Sequence, residues 1–162
     1  MDEKIRIATT EDLERLMEIF SAARNFMIQT GNVNQWINGY PQRELIKEEI
    51  NNKHCYVYLV NNKIVGTFCF IEGPDPTYSF IKDGQWPSEE PYFVIHRLAS
   101  DGSYHGITSK CVNWCLQYSH CLRADTHADN KVMQHLLENN GFKRCGIIYV
   151  ANGTERIAYQ RG

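Results

Sequence analysis

No apolar run in this chain approaches the roughly 20 residues that a membrane helix needs. The opening residues, MDEKIRIATTEDLERL, hold no apolar stretch of the kind that marks a secretory signal, so a cytoplasmic location is expected. Charge of one sign is not in excess: 17 Lys and Arg stand against 19 Asp and Glu, a net charge of −2. That balance gives no electrostatic basis for binding nucleic acid or an anionic membrane, and neither is expected as a partner. The six cysteines (55, 69, 111, 115, 121 and 145) form no CxxC pair. Cys111 and Cys115 share one helix face, where two thiols could in principle grip a metal. Small buried thiols in a reducing compartment are the favoured reading, and no metal is expected. There is also no internal repeat, linker or low-complexity segment. A single domain over residues 1–162 follows from the length.

What is present reads as alternating strands and helices. Lys4 to Ala8 alternates charged and apolar residues, as a half-buried strand does. Thr9 with Asp12 is spaced as a capping box, and Leu13, Leu16, Met17 and Phe20 follow at helical intervals, out to Ile28. Residues 30–42 are irregular, yet carry Trp36 and Tyr40, which either pin the loop to the core or line a pocket. A second helix covers Arg43 to Asn51. Strands at Cys55–Val60 and Lys63–Glu72 are joined by Asn61-Asn62, a pair that tolerates the positive φ of a tight hairpin. Gly66 inside the second strand predicts a bulge or a close backbone approach. Gly73 to Pro91 holds four of the five prolines with Tyr78, Phe80 and Trp86; it is either functional or a surface loop tied down by its aromatics.

The stretch from Tyr92 to Tyr118 organises the rest. Tyr92–Ser100 is a buried strand, Asp101-Gly102 a turn, and Ser103 to Ser109 opens a helix whose apolar face is Ile107, Cys111, Trp114 and Tyr118. A helix N-terminus favours an anion, and Gly106 lets one approach closely. Beyond lie a strand at Cys121–Thr126, a helix capped by Asp129 or Asn130 and ended by Asn139-Asn140-Gly141, and strands at Phe142–Val150 and Glu155–Gln160 around Asn152-Gly153. The order is β-α-α-β-β-β-α-β-α-β-β, an α/β chain with a mixed sheet of about seven strands and four helices on its faces. Crossovers around Gly106 and Asn130 predict locally parallel strands.

This order resembles the GNAT superfamily of acyl-CoA-dependent N-acetyltransferases from end to end. Two motifs carry the likeness. The family's strand and acyl-CoA loop correspond to Arg97-Leu98-Ala99-Ser100 and to Ser103-Tyr104-His105-Gly106-Ile107-Thr108. Its later segment, from an asparagine through a helix to Gly-Phe, corresponds to Asn130 through Gly141-Phe142. Ser103 stands where the family has Gln or Arg, Thr108 where it has Gly or Ala, and Leu137 where many members have a tyrosine as general acid.

The resemblance implies acetyl transfer from acetyl-CoA to a primary amine of a small molecule or peptide, by direct attack in a ternary complex. It also implies that the fourth and fifth strands splay around pantetheine. The backbone of Leu98, Ala99 and Ser100 would then follow that arm, with the Leu98 N–H facing the thioester oxygen, a placement worth on the order of 3 kcal/mol in other enzymes. His105, Gly106, Ile107, Thr108 and Ser109 would hold the pyrophosphate, and Asn130 would sit near the reactive end. His96 is the first candidate base, placed on the face of Leu98 by strand alternation, and His127 the second. The alternative for each is a structural hydrogen bond, which is how Asp125 is read. Trp36, Tyr40, Tyr78 and Trp86 are expected around the acceptor. No dense acidic cluster calls for a polyamine, although Glu72, Asp75 and Glu89-Glu90 leave that open. The atypical Ser103, Thr108 and Leu137 favour a second reading, a GNAT-fold module that binds acyl-CoA or acts through protein contacts. The C-terminal hairpin offers edge strands for a homodimer.

Overall fold

A computed structural model describes residues Met1–Gly162. The strands are β1 (Glu3–Ile7), β2 (Cys55–Val60), β3 (Lys63–Glu72), β4 (Phe93–Ser100), β5 (Leu122–Thr126), β6 (Lys143–Tyr149) and β7 (Glu155–Arg161). The helices are α1 (Leu13–Gln29), α2 (Arg43–Asn51), α3 (Ile107–Leu116) and α4 (Lys131–Asn139). The mixed α/β class, the seven strands and the four helices are as expected from the sequence. One sheet runs β1-β2-β3-β4-β5-β7-β6. Every neighbouring pair is antiparallel except β4 and β5. The two crossovers therefore differ. The one through α3 joins hydrogen-bonded parallel neighbours. The one through α4 joins β5 to β6 with β7 inserted between them. No helix is long and apolar enough to cross a membrane.

Local chemistry explains the elements. The Thr9 N–H donates to the Asp12 carboxylate at 2.8 Å, and Arg6 grips the same carboxylate at 2.8 and 3.1 Å, which fixes the start of α1. Leu13, Leu16, Ile19 and Phe20 then bury one face of α1 beside Ile46 and Ile50 of α2. Asn61 and Asn62 take φ of 50° and 68° in the hairpin turn. At Gly66 the register of β2 against β3 shifts, and Ile107 lies 3.1 Å from where a Cβ would stand, so both the bulge and the close approach occur. The α3 helix is shorter than its pattern suggested. It begins at Ile107 because Ser103 folds back onto Asp101, and it ends at Leu116. Tyr118 lies beyond the end, exposed but in tilted ring contact with Trp114 at 4.6 Å.

The sheet separates two cores. One lies under α3 and α4, with Phe68, Phe70, Ile95, Leu122, Leu137 and Tyr159. The other lies under α1 and α2. On that second face, the far half of the sheet is covered by the 73–91 segment, where Tyr78 packs on Val94, Ile148 and Ala158.

That segment also closes the sheet's outer edge. Lys82 and Ile147 exchange backbone hydrogen bonds at 2.9 Å each, and the Gln85 N–H reaches the Cys145 carbonyl at 3.0 Å. The stretch of β6 that could pair with a second subunit is thus occupied by the chain itself. The edge fits only because Gly84 has no side chain: a Cβ there would lie 1.9 Å from the Cys145 oxygen. Gly84→Ala is therefore expected to destabilise the protein by roughly 2 kcal/mol or more in urea denaturation. Gly153→Ala, at φ +81° with nothing within 4 Å, is expected to cost only about 1 kcal/mol. Equal losses would show that the edge contact contributes nothing.

Candidate active site

Two features of β4 create the site. First, β4 and β5 share register only at Phe93–Leu122 and Val94–Arg123. Beyond Val94 no strand lies beside β4 on that side. Second, β4 bulges. Its register against β3 jumps from His96–Cys69 to Ala99–Thr67, so Arg97 and Leu98 together face Phe68. Arg97 sits at φ +54°, a left-handed conformation unusual for a side-chain-bearing residue. Its guanidinium compensates: Nε donates to the Tyr40 hydroxyl and Nη1 to Glu49, both at 2.9 Å. The bulge breaks the alternation of the strand. Ile95 and Leu98 pack on the same core although they are three residues apart. His96 lies opposite Cys69, on the other face. Strand alternation had placed His96 and Leu98 on one face; the turn at Arg97 separates them.

The parted strands open onto two joined spaces. A groove of about 430 Å³ is lined by Leu98, Ala99, Ser100, His105, Gly106, Ile107, Thr108, Ser109 and Asn130, among others. All nine residues expected at the coenzyme thus lie along one groove. At its head, Gly106 takes φ +79° and precedes α3 with no capping side chain. The backbone N–H groups of Tyr104 through Ser109 donate to no group in the protein. A Cβ on Gly106 would meet nothing within 4 Å. Ser103 does not reach into this row. Its amide donates to Asp101, which Arg15 of α1 holds at 2.7 Å.

The second space, a cavity of about 480 Å³, shares Met27, Leu98, Asn130 and Met133 with the groove. Trp36 and Tyr40 line it. Trp36 also sits edge-on to Phe20 at 5.8 Å, so it both pins its loop and walls the cavity. Tyr78 and Trp86 do not line it. Tyr78 is buried beneath, its hydroxyl donating to Asp125 at 2.7 Å, and burial together with that carboxylate pushes the phenol well above its usual range. Trp86 turns away, its indole N–H held by the Tyr78 carbonyl. Trp86 and Tyr92 clamp Arg123, each ring centroid 3.9 Å from the guanidinium.

His96 lines the cavity, and its Nε2 lies 3.0 Å from Asp75 Oδ2. Burial opposes the charge on Asp75. His96 and the hydroxyl and amide of Thr77 outweigh it and hold the carboxyl down at about 2. His127 lines neither space. Its Nδ1 accepts the Asp129 N–H at 2.9 Å, and burial, aided by Arg156 and opposed by Asp129, keeps it below its usual value. Asn130 caps α4 through the Met133 N–H and donates to Gln35 at 3.0 Å, so both ends of its amide are engaged within the protein. Leu137 lines the cavity as an apolar wall and offers no proton. Sequence reasoning missed Gln35, whose side-chain oxygen also accepts from Asn32 and Thr126, and it missed Arg97 and Arg156 in the lining. No sequence period marks these residues. No group of three or more His, Cys, Asp or Glu side chains converges as a metal site would need.

A mixed sheet parted between two parallel strands, with a bulge beside the gap and free amides at its end, is the arrangement that the resemblance to the GNAT fold implies. A sequence model of the Acetyltransferase (GNAT) family matches residues 13–142. The chain belongs to the GNAT acetyltransferase family. It is similar to a GNAT-family acetyltransferase from Streptococcus agalactiae 2603, at 27% identity and TM-score 0.88 over 98% of this chain and 94% of that one. A GNAT-family acetyltransferase from Listeria monocytogenes 4b F2365 shares the fold at 15% identity and TM-score 0.71, over 98% and 94%. So does the aminoglycoside acetyltransferase AAC(6')-Ib in complex with coenzyme A and kanamycin, at 18% identity and TM-score 0.67, over 99% and 94%. No curated protein sequence matches the chain.

The depressed carboxyl gives a test of the His96–Asp75 pair. Asp75 titrates near 2 when folded and about 3.9 when unfolded, so its contribution is present above pH 4 and is lost as pH falls toward 2. The stability gap between wild type and Asp75→Asn is expected to shrink by on the order of 1 kcal/mol between pH 5 and pH 2.5, allowing for solvent screening. Urea denaturation across that range measures it. A constant gap would contradict the pairing.

Proposed function

We propose that this chain, acting as one domain over residues 1–162, is an N-acetyltransferase that moves an acetyl group from acetyl-CoA to a primary amine by direct attack in a ternary complex. The observation that carries the reading is the groove itself: unpaired β4 backbone runs into a row of six free N–H groups at the start of α3. Bound acetyl-CoA supplies an activated acyl carbon. The chain's own residues do the rest. The amides of Tyr104 to Ser109 and the N-terminal dipole of α3 hold the pyrophosphate. The backbone of Leu98 to Ser100 takes the place of a strand partner for the pantetheine arm, and the Leu98 N–H donates toward the thioester oxygen. Met27 and Met133 flank the passage from groove to cavity.

His96 is the base for the attacking amine. With its Nε2–H committed to Asp75, the neutral ring keeps its lone pair on Nδ1, and Asp75 stabilises the ring once it takes the proton. His127, turned to its own helix cap, is the weaker candidate. Trp36 and Tyr40 shape the acceptor space. Free cysteines throughout suit work in a reducing cytosol.

Titration calorimetry with acetyl-CoA tests the groove. Wild type is expected to bind, and Gly106→Glu, which strains φ +79° and puts a carboxylate among the free amides, is expected to lose binding by 100-fold or more. No binding by wild type up to millimolar coenzyme would overturn the assignment and direct the search to a protein partner. For the base, His96→Ala is expected to lower kcat/KM about 100-fold and to abolish the rise in rate with pH that a histidine base imposes. An unchanged pH profile would remove His96 from that role.

A further inference from the structure

Three arginines are deeply placed near the gap, and they differ in how their charge is met. Arg97 is paired with Glu49. Arg123, 4% exposed, lies between the faces of Trp86 and Tyr92. Arg156, 5% exposed, has neither arrangement. Its Nη1 donates to the Thr154 hydroxyl at 2.9 Å and the Glu155 carbonyl at 2.8 Å, and its Nη2 to the Gln35 carbonyl at 3.2 Å. All three acceptors are neutral, no carboxylate lies within 4.0 Å, and the residue lines the acceptor cavity. A buried guanidinium is costly unless an anion meets it.

The carboxylates of the cavity do not meet that need. Asp75 is bound to His96 and Thr77. Asp125 accepts the Tyr78 hydroxyl; it helps Arg156 from a distance, and burial still outweighs it. The cavity lining thus carries a histidine–aspartate pair from the 73–96 side and, from β7, a guanidinium that no carboxylate meets. The same lining includes Trp36, Tyr40, Leu137 and Val150. A polyamine would be repelled at Arg156.

We propose that Arg156 is the specificity residue for the acceptor, and that the acceptor is an amino acid or similar small molecule carrying a carboxylate as well as the reacting primary amine. The carboxylate binds Arg156 while the amine faces His96. This deepens the acetyl-transfer reading and rests on it.

The test is a thiol-release assay with acetyl-CoA on matched acceptors: the α-amino acids, their carboxamides and a polyamine. Wild type is expected to favour the acids over their amides by about 100-fold in kcat/KM, the scale for a charged group losing its hydrogen-bonded partner. Arg156→Met is expected to erase that preference, mainly through a larger rise in KM for the acids than for the amides. Arg156→Lys should restore part of it. Acetyl-CoA binding by each variant checks that it folds; if Arg156→Met fails this check, the wild-type ratio and the Lys variant decide. Where turnover is too slow to measure, N-acetylamino acids should raise the Tm of the coenzyme A-loaded wild type, and their amides should not. A preference for amides or the polyamine, an equal loss on all acceptors in Arg156→Met, or equal Tm shifts would overturn the inference alone. Failure of wild type to bind acetyl-CoA would overturn the acetyl-transfer reading, and the inference with it.

Discussion

β4 and β5 start as hydrogen-bonded neighbours and then part, and the rest of the molecule is arranged around that separation. A sheet that leaves one side of Ile95–Ser100 without a strand exposes backbone donors and acceptors that must find partners elsewhere. The bulge at Arg97 turns the strand at the point of parting, and the positive φ it demands is held by Glu49 of α2 and by Tyr40 of the loop after α1. Helix packing on one half of the sheet is thereby coupled to the shape of the gap. On the other half, the 73–91 segment buries Tyr78 and half-buries Trp86, brings Asp75 to His96, and closes the outer edge at Ile147. The gap is left as the break in an otherwise covered sheet.

The two joined spaces divide the chemistry. The groove is built from main chain: an unpaired strand edge and a helix N-terminus, which offer free hydrogen-bonding groups without needing particular side chains. Ser103 serves a turn onto Asp101, which a polar residue of either size could do, while the amides behind it stay free. The cavity is built from side chains and carries whatever is particular to this protein: the His96–Asp75 pair, the Trp36 wall and Arg156.

The same division explains what was legible in the sequence. Gly106 and the Asn61-Asn62 turn are positions where one residue's backbone preference decides the conformation, and Asn130 is a side chain whose local hydrogen bond caps a helix. Hydrophobic periodicity located the strands and helices within a few residues, and the helix–strand order then fixed where the groove must lie. The bulge at Arg97 was not legible, because arginine has no intrinsic preference for positive φ; contacts 48 and 57 residues away impose it. His96 was found as a residue type but set on the wrong face for that reason. Tyr78 and Trp86 read as pocket aromatics, yet their partners, Asp125 and Arg123, come from β5 and draw them beneath the sheet surface. Arg156 sits in a strand whose pattern shows burial but not what a buried arginine faces.

Amide hydrogen exchange, read residue by residue with and without acetyl-CoA, bears most directly on the claim that the parted strands and the row of free amides form one coenzyme site. The amides of Tyr104 through Ser109 donate to no group in the protein, and they should slow strongly together with those of Leu98 and Ser100 when the coenzyme is added, while β1, β2 and α2 stay unchanged. Exchange that slows elsewhere, or at the α3 amides without those of β4, would contradict a single continuous site.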